Sequence, residues 1–195
     1  MSTAVLFPGR RFSVAELRAA CLDGELVPFG EGFLPADAPT PPLVRAAALA
    51  PLLSPSCAFV GMAAAWIHGA TGEPPDPLDV QRAVPWRITR VVDRRLRFHD
   101  QELSPADVAL LGDTAVATPA RTLADLARDA ARPDPRDRGS ADAVARLAAD
   151  ESTRRAALAW FRAHPRRTHA VAAVALLHEL GPDGRGAADQ EDVTR

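Results

Sequence analysis

The dipeptide Thr118-Pro119 constrains this chain more than any other. Thr accepts a backbone N–H at a helix N-cap. Pro is favoured immediately after it, because its fixed φ suits the first turn and its missing N–H is not needed there. The pair predicts a helix running to about Ala131, with Leu123, Leu126 and Ala127 on its buried face.

Upstream, the elements read as shorter. Ser13 with Glu16 three residues later is a capping box, so a helix is expected to about Leu22 and to end at Asp23-Gly24. Leu26 to Phe29 and Phe33-Leu34, separated by Gly30 to Gly32, read as a small hairpin. Leu43 to Leu53 and Gly61 to His68 read as helices, the second capped by Gly69. Cys57 to Val60 is short and apolar. Leu78 to Val84, Arg87 to Val92, Arg94 to Phe98 and Thr114 to Ala117 read as strands, with a tight turn at Asp93 and a helical turn from Ser104 to about Leu111. After a Pro-, Asp- and Arg-rich linker, three helical patterns follow at 141–149, 152–164 and 167–180. The tail from Gly181 onward is small and apolar-poor, and is expected to be disordered.

The expected fold class is therefore α+β: a head over 1–37, a mixed domain with a short antiparallel sheet over 38–131, a linker over 132–140, C-terminal helices over 141–180 and a tail over 181–195. Hydrophobic residues make up 47% of the 195, enough for a real core. A formal net charge of −2 excludes a globally basic nucleic-acid binder and leaves room for a local basic patch. No Lys and no Tyr occur, which fits a coding bias toward Ala, Pro and Arg acting on the whole chain. Cys21 and Cys57 form no CxxC pair, and reduced thiols are expected. No apolar run is long enough to span a membrane and the first eleven residues do not read as a signal peptide, so a cytoplasmic protein with no membrane partner is expected.

Motifs that carry chemistry are missing. Neither GxxxxGK[ST] nor GxGxxG precedes a helix, no GxSxG elbow occurs, and the five His residues make no HExxH. An acid–acid–Lys nuclease pattern cannot be completed without Lys. No catalytic residue, metal site or cofactor is expected. The densest charge lies on Arg82, Arg87, Arg90, Arg94, Arg95 and Arg97, interleaved with Trp86 and Phe98 and opposed by Asp93 alone. Two readings stand: a phosphate-contacting face, since alternate residues of a strand share one side, or the solvated face of an edge hairpin. Arg162, Arg166 and Arg167 with His164 and His169 make a second basic patch at a helix junction.

Four segments together resemble a known family. They are 12–34 with Asp23-Gly24-Glu25-Leu26-Val27 and Gly30-Glu31-Gly32-Phe33-Leu34, then Phe59 to Gly69 ending in Trp66-Ile67-His68-Gly69, the strands around 78–98, and Thr118-Pro119-Ala120-Arg121-Thr122-Leu123-Ala124-Asp125-Leu126-Ala127. In this order they resemble the AbiEi family of antitoxins and related bacterial transcriptional regulators. The resemblance implies a winged-helix head that binds operator DNA and a non-enzymatic protein that opposes a nucleotidyltransferase-like toxin. Its signature residues would be Trp66, His68, Gly69, Thr118, Pro119, Arg121, Thr122 and Asp125, read as structural. Only one helix precedes the hairpin, and Asp23, Glu25 and Glu31 make the hairpin acidic, so the head reads as degenerate, with Arg10, Arg11 and Arg18 as its candidate phosphate contacts. The candidate partners are thus duplex DNA and a cognate toxin protein; a protein-binding module without DNA binding is the alternative.

Overall fold

The computed structural model describes residues 5–9, 11–88, 93–134 and 139–181. Within them the fold is α+β, with seven α-helices, a two-stranded sheet and a five-stranded sheet. Helix α1 (Val14–Leu22) opens with the expected capping box: Ser13 N donates to Glu16 Oε2 at 2.7 Å and Glu16 N to Ser13 Oγ at 3.2 Å. Strands β1 (Leu26–Phe29) and β2 (Gly32–Pro35) form the expected antiparallel hairpin, and Leu6 bridges to Phe33 beside it. Gly30 is required at the hairpin tip. Its φ is +57°, and a Cβ there would lie 2.8 Å from the Ala48 carbonyl oxygen. That close approach lets Glu31 N donate to Ala48 O and docks the tip on α2 (Pro42–Leu49), which a 3-10 turn, Ala50–Leu52, extends.

The larger sheet corrects the expected strand pairing. Its strands are β3 (Cys57–Phe59), β4 (Leu78–Arg82), β5 (Leu96–His99), β6 (Val108–Leu111) and β7 (Thr114–Ala117), in the order β5-β4-β3-β7-β6. It is mixed rather than purely antiparallel: β4 pairs with β5, and β3 with β7, in parallel. A parallel neighbour requires the chain to travel back along the strand between β4 and β5. The tight turn expected at Asp93 is present and leads into β5, the Asp93 carboxylate accepting from Arg95 N and its carbonyl from Leu96 N. Residues 87 and 88 are not in a strand, and 89–92 lie outside the described residues. The helical turn expected from Ser104 closes after Pro105–Asp107, and Val108 to Leu111 pair with β7 instead.

Helix α3 (Gly61–Ile67) is buried from Met62 to Ile67 on every side. An apolar helix without a polar face belongs between two layers, and α3 holds that position. Its Ala63, Ala64, Trp66 and Ile67 pack on the sheet with Phe59, Val80 and Val116. Met62 and Ala65 pack on a second cluster with α4 (Pro119–Ala130), α5 (Ser140–Ala148), α6 (Glu151–Ala163) and α7 (Ala170–Glu179). Leu123, Leu126 and Ala127 are buried in that cluster, as the α4 periodicity predicts. The C-terminal helices therefore bury their apolar faces on α4, sharing its core. Residues 135–138 of the expected linker and 182–195 of the expected tail lie outside the described residues.

Candidate functional site

Two of the signature residues, His68 and Thr122, meet at one carbonyl. His68, the C-cap of α3, places Nε2 2.8 Å from Ala117 O, and Thr122 Oγ1 donates to the same oxygen at 3.4 Å. The end of β7 thus joins α3 to α4. Burial pushes the His68 pKa down, with the bond to Ala117 opposing it. Gly69 (φ +83°) ends α3 in the left-handed conformation and donates to Trp66 O. Trp66 is buried under the Arg45 guanidinium, 5.1 Å from its ring centroid, and donates Nε1 to Gly72 O at 3.2 Å. Thr118 caps α4 by accepting from Arg121 N at 3.3 Å, and Pro119 occupies the first turn.

Arg121 departs from its sequence reading. An exposed Arg–Asp pair four residues apart stabilises a helix by only about 0.2–0.5 kcal/mol. Here Arg121 is buried. It donates Nε to Asp125 Oδ2 at 2.8 Å and Nη1 to Asp107 Oδ2 at 2.6 Å. Asp107 also accepts Nε1 of Trp160, from α6, at 3.0 Å. The guanidinium lies 5.1 Å from the Trp160 ring centroid. Burial works to lower the Arg121 pKa, but the carboxylates of Asp125 and Asp107 outweigh it and the net shift is upward. The cation is permanent, and the cluster fixes α4 between the sheet and α6.

The strand arginines separate into two groups. Arg82 is buried: it donates Nε to Asp100 O at 3.2 Å and Nη1 to the carbonyls of Val84 and Trp86, and lies 3.3 Å from Asp100 Oδ1. Arg95 bridges Glu31 of the hairpin at 2.7 Å and Asp93 at 2.8 Å. Arg97 lies 2.9 Å from the buried Asp79. Arg87 and Arg94 are exposed, beside Trp86 at 62% exposure, and Arg90 lies outside the described residues. In the head, Arg11 and Arg18 are exposed, Arg11 lying 5.4 Å from the Phe12 ring centroid, and Arg10 lies outside the described residues.

A cleft of about 600 Å³ opens between the face of β4 and β5, the side of α4 and the turn from α6 to α7. Its floor follows from strand register. Asp79 faces Arg97 and Gln81 faces His99, so all four side chains share one side of the sheet. Asp79 holds Arg97, and also His99 Nε2 at 2.7 Å; both side chains remain about a third exposed. The walls are Arg128 of α4 and Arg132 just past its end, and Arg167 and His169 of the turn. Arg128 Nε donates to Thr168 O at 2.9 Å, tying the walls together.

Of the lining, sequence reasoning singled out Arg97, Arg121, Asp125, Arg167 and His169 but missed Asp79, Arg128 and Arg132, and gave His99 no role. The available signal was a carboxylate inside the apolar run Leu78-Asp79-Val80, which only a partnered acid tolerates. The carboxylate–imidazole pair orients His99 but occupies its Nε2. Among the described residues no group of three or more His, Cys, Asp or Glu is placed to hold a metal, and no helix is long and apolar enough to cross a membrane. Cys21 and the buried Cys57 are free, and burial raises the Cys57 pKa. Comparison with protein-family models, with curated proteins and with solved structures gives no match.

Proposed function

We propose that this chain is a non-enzymatic, antitoxin-like binding protein of the cytoplasm that captures a partner protein through its N-terminal head. The observation that carries the reading is the apolar surface of that head. Helix α1 buries only Leu17, while Leu22 is 90% exposed. Val14 and Val27 are exposed as well. Val14, Arg18 and Leu22 recur at four-residue spacing along one side of the helix. The exposed acids Asp23 and Glu25 lie between Leu22 and Val27 in the chain. Such a surface matches a partner with an apolar patch rimmed by Arg or Lys.

The direct test is titration calorimetry with the product of the neighbouring reading frame. Complex formation is expected, with Leu22→Asp weakening it about tenfold or more while leaving the melting temperature unchanged. Absence of a complex, or a complex indifferent to Leu22→Asp, would remove the reading.

Duplex DNA is the second reading, favoured by exposed Trp86 beside exposed Arg87 and Arg94. It requires retention of the chain's own upstream duplex that falls steeply with salt. Retention independent of salt, or none, would exclude it.

A further inference from the structure

We propose that the cleft between β4–β5, α4 and the α6–α7 turn is a binding site for a phosphorylated small molecule of about mononucleotide size. The proposal does not depend on the head and its partner. Its first support is charge. The lining carries five arginines against four aspartates, with His99 and His169 in addition. The aspartates are not free acceptors of a cation. Asp79 is committed to Arg97 and His99, and Asp125 to Arg121 and Arg128. What these pairs do is hold guanidinium groups in fixed positions, with Arg97 37% exposed at the floor. Arg forks held by packing recognise phosphate oxygens bidentately.

The second support is a crowding of cations across the mouth. Arg128 is half-buried and pairs with Asp125 at 3.3 Å, but burial together with the like charges of Arg167 and Arg121 outweighs that carboxylate. Among the described residues the Arg167 guanidinium has no carboxylate partner and lies 6.0 Å from the Trp160 ring centroid. Asp125 serves Arg121 and Arg128, and a phosphate bound between Arg128 and Arg167 gives Arg167 an anion as well.

The third support is backbone. His169 is the only non-Gly residue with positive φ among those described (φ 60°), and it begins the ten-residue α7 without a side-chain cap. A strained residue persists where its surroundings over-determine it. Here it turns the chain from the cleft wall into α7 immediately after Arg167, where Ala170 N donates to Arg167 O at 3.1 Å and so holds the Arg167 backbone in place. The volume suits a small ligand and is too small for a duplex.

The test is titration calorimetry on the full chain with ADP, inorganic pyrophosphate, adenosine, and a single-stranded oligonucleotide with and without a 5′-phosphate. ADP and pyrophosphate are expected to bind saturably and adenosine not to bind. Arg167→Ala is expected to weaken ADP about tenfold, the loss of one charge-assisted contact. Arg166→Ala, at the exposed neighbour, is expected to leave it unchanged. No saturable binding of ADP or pyrophosphate, or equal effects of the two substitutions, would overturn the site. Binding of the 5′-phosphorylated oligonucleotide more tightly than ADP would overturn the small-molecule assignment in favour of a nucleic-acid end.

Discussion

Arg121 and Asp107 form a buried ion pair, 2.6 Å between Nη1 and Oδ2, with side chains 7% and 10% exposed. Arg121→Ala leaves Asp107 and Asp125 without their cation. Removing one partner of a buried pair costs about 3–5 kcal/mol. The urea midpoint should fall accordingly, whereas Arg121→Lys should lose less, because an ammonium keeps the charge but cannot span both carboxylates as a planar fork does. Equal losses for the two variants would show that charge, and not the fork, is what the cluster needs.

Stability should also depend on His68. Burial holds its folded pKa below 6.5. The unfolded chain binds a proton near 6.5 that the folded chain takes up only at lower pH, so the unfolded state carries more protons in that window. The His68 contribution is therefore complete above about 6.5 and is lost as pH falls toward the depressed folded value. Melting temperatures at pH 7.5 and 5.5 should diverge more for the natural chain than for His68→Gln. An identical drop in both would contradict this.

The small residues of α3 are a packing requirement. Ala64 and Ala65 are fully buried, against the sheet and against the helical cluster respectively. Enlarging either to Leu forces displacement in a close-packed layer, about 1–3 kcal/mol. Ala19→Leu, at an exposed position of α1, serves as the control and should be neutral. Denaturation midpoints decide the matter; a neutral Ala64→Leu would mean that the interface has slack.

The strand arginines should divide by role. Arg82→Met removes the donor to three carbonyls and should cost about 2–3 kcal/mol. Arg87→Ala and Arg94→Ala should each change stability by less than about 0.5 kcal/mol. If duplex DNA is bound, only the exposed pair should reduce the salt dependence of retention. A stability loss for Arg87→Ala equal to that for Arg82→Met would make the whole segment structural.

Much of the local structure was legible in the sequence because it depends on neighbours. Ser13 and Glu16 are three residues apart, Thr118 caps the N–H three residues on, and the hairpin needs only its own strands. What stayed hidden depends on distant residues. Arg121 looks like half of a local pair until Asp107 and Trp160 arrive from other elements. The strand arginines look like a shared surface until Glu31, Asp79 and Asp100 turn out to face three of them. Alternation along a strand predicts which side a residue takes, but not whether a partner strand brings an acid to meet it. The cleft stayed hidden for the same reason: its arginines come from β5, α4 and the α6–α7 turn, Arg97 and Arg167 being 70 positions apart in the chain.

The Trp160 indole reaches Asp107 across 53 positions of chain. Synthesis delivers a chain from its N-terminus, so on the ribosome Asp107 and Arg121 emerge long before the ring that covers them. A chain interrupted before α6 is left with a wet, open cluster where the finished one is sealed, and α4 has no lid to hold it down. Limited proteolysis should therefore cut a copy truncated before α6 sooner than the finished chain.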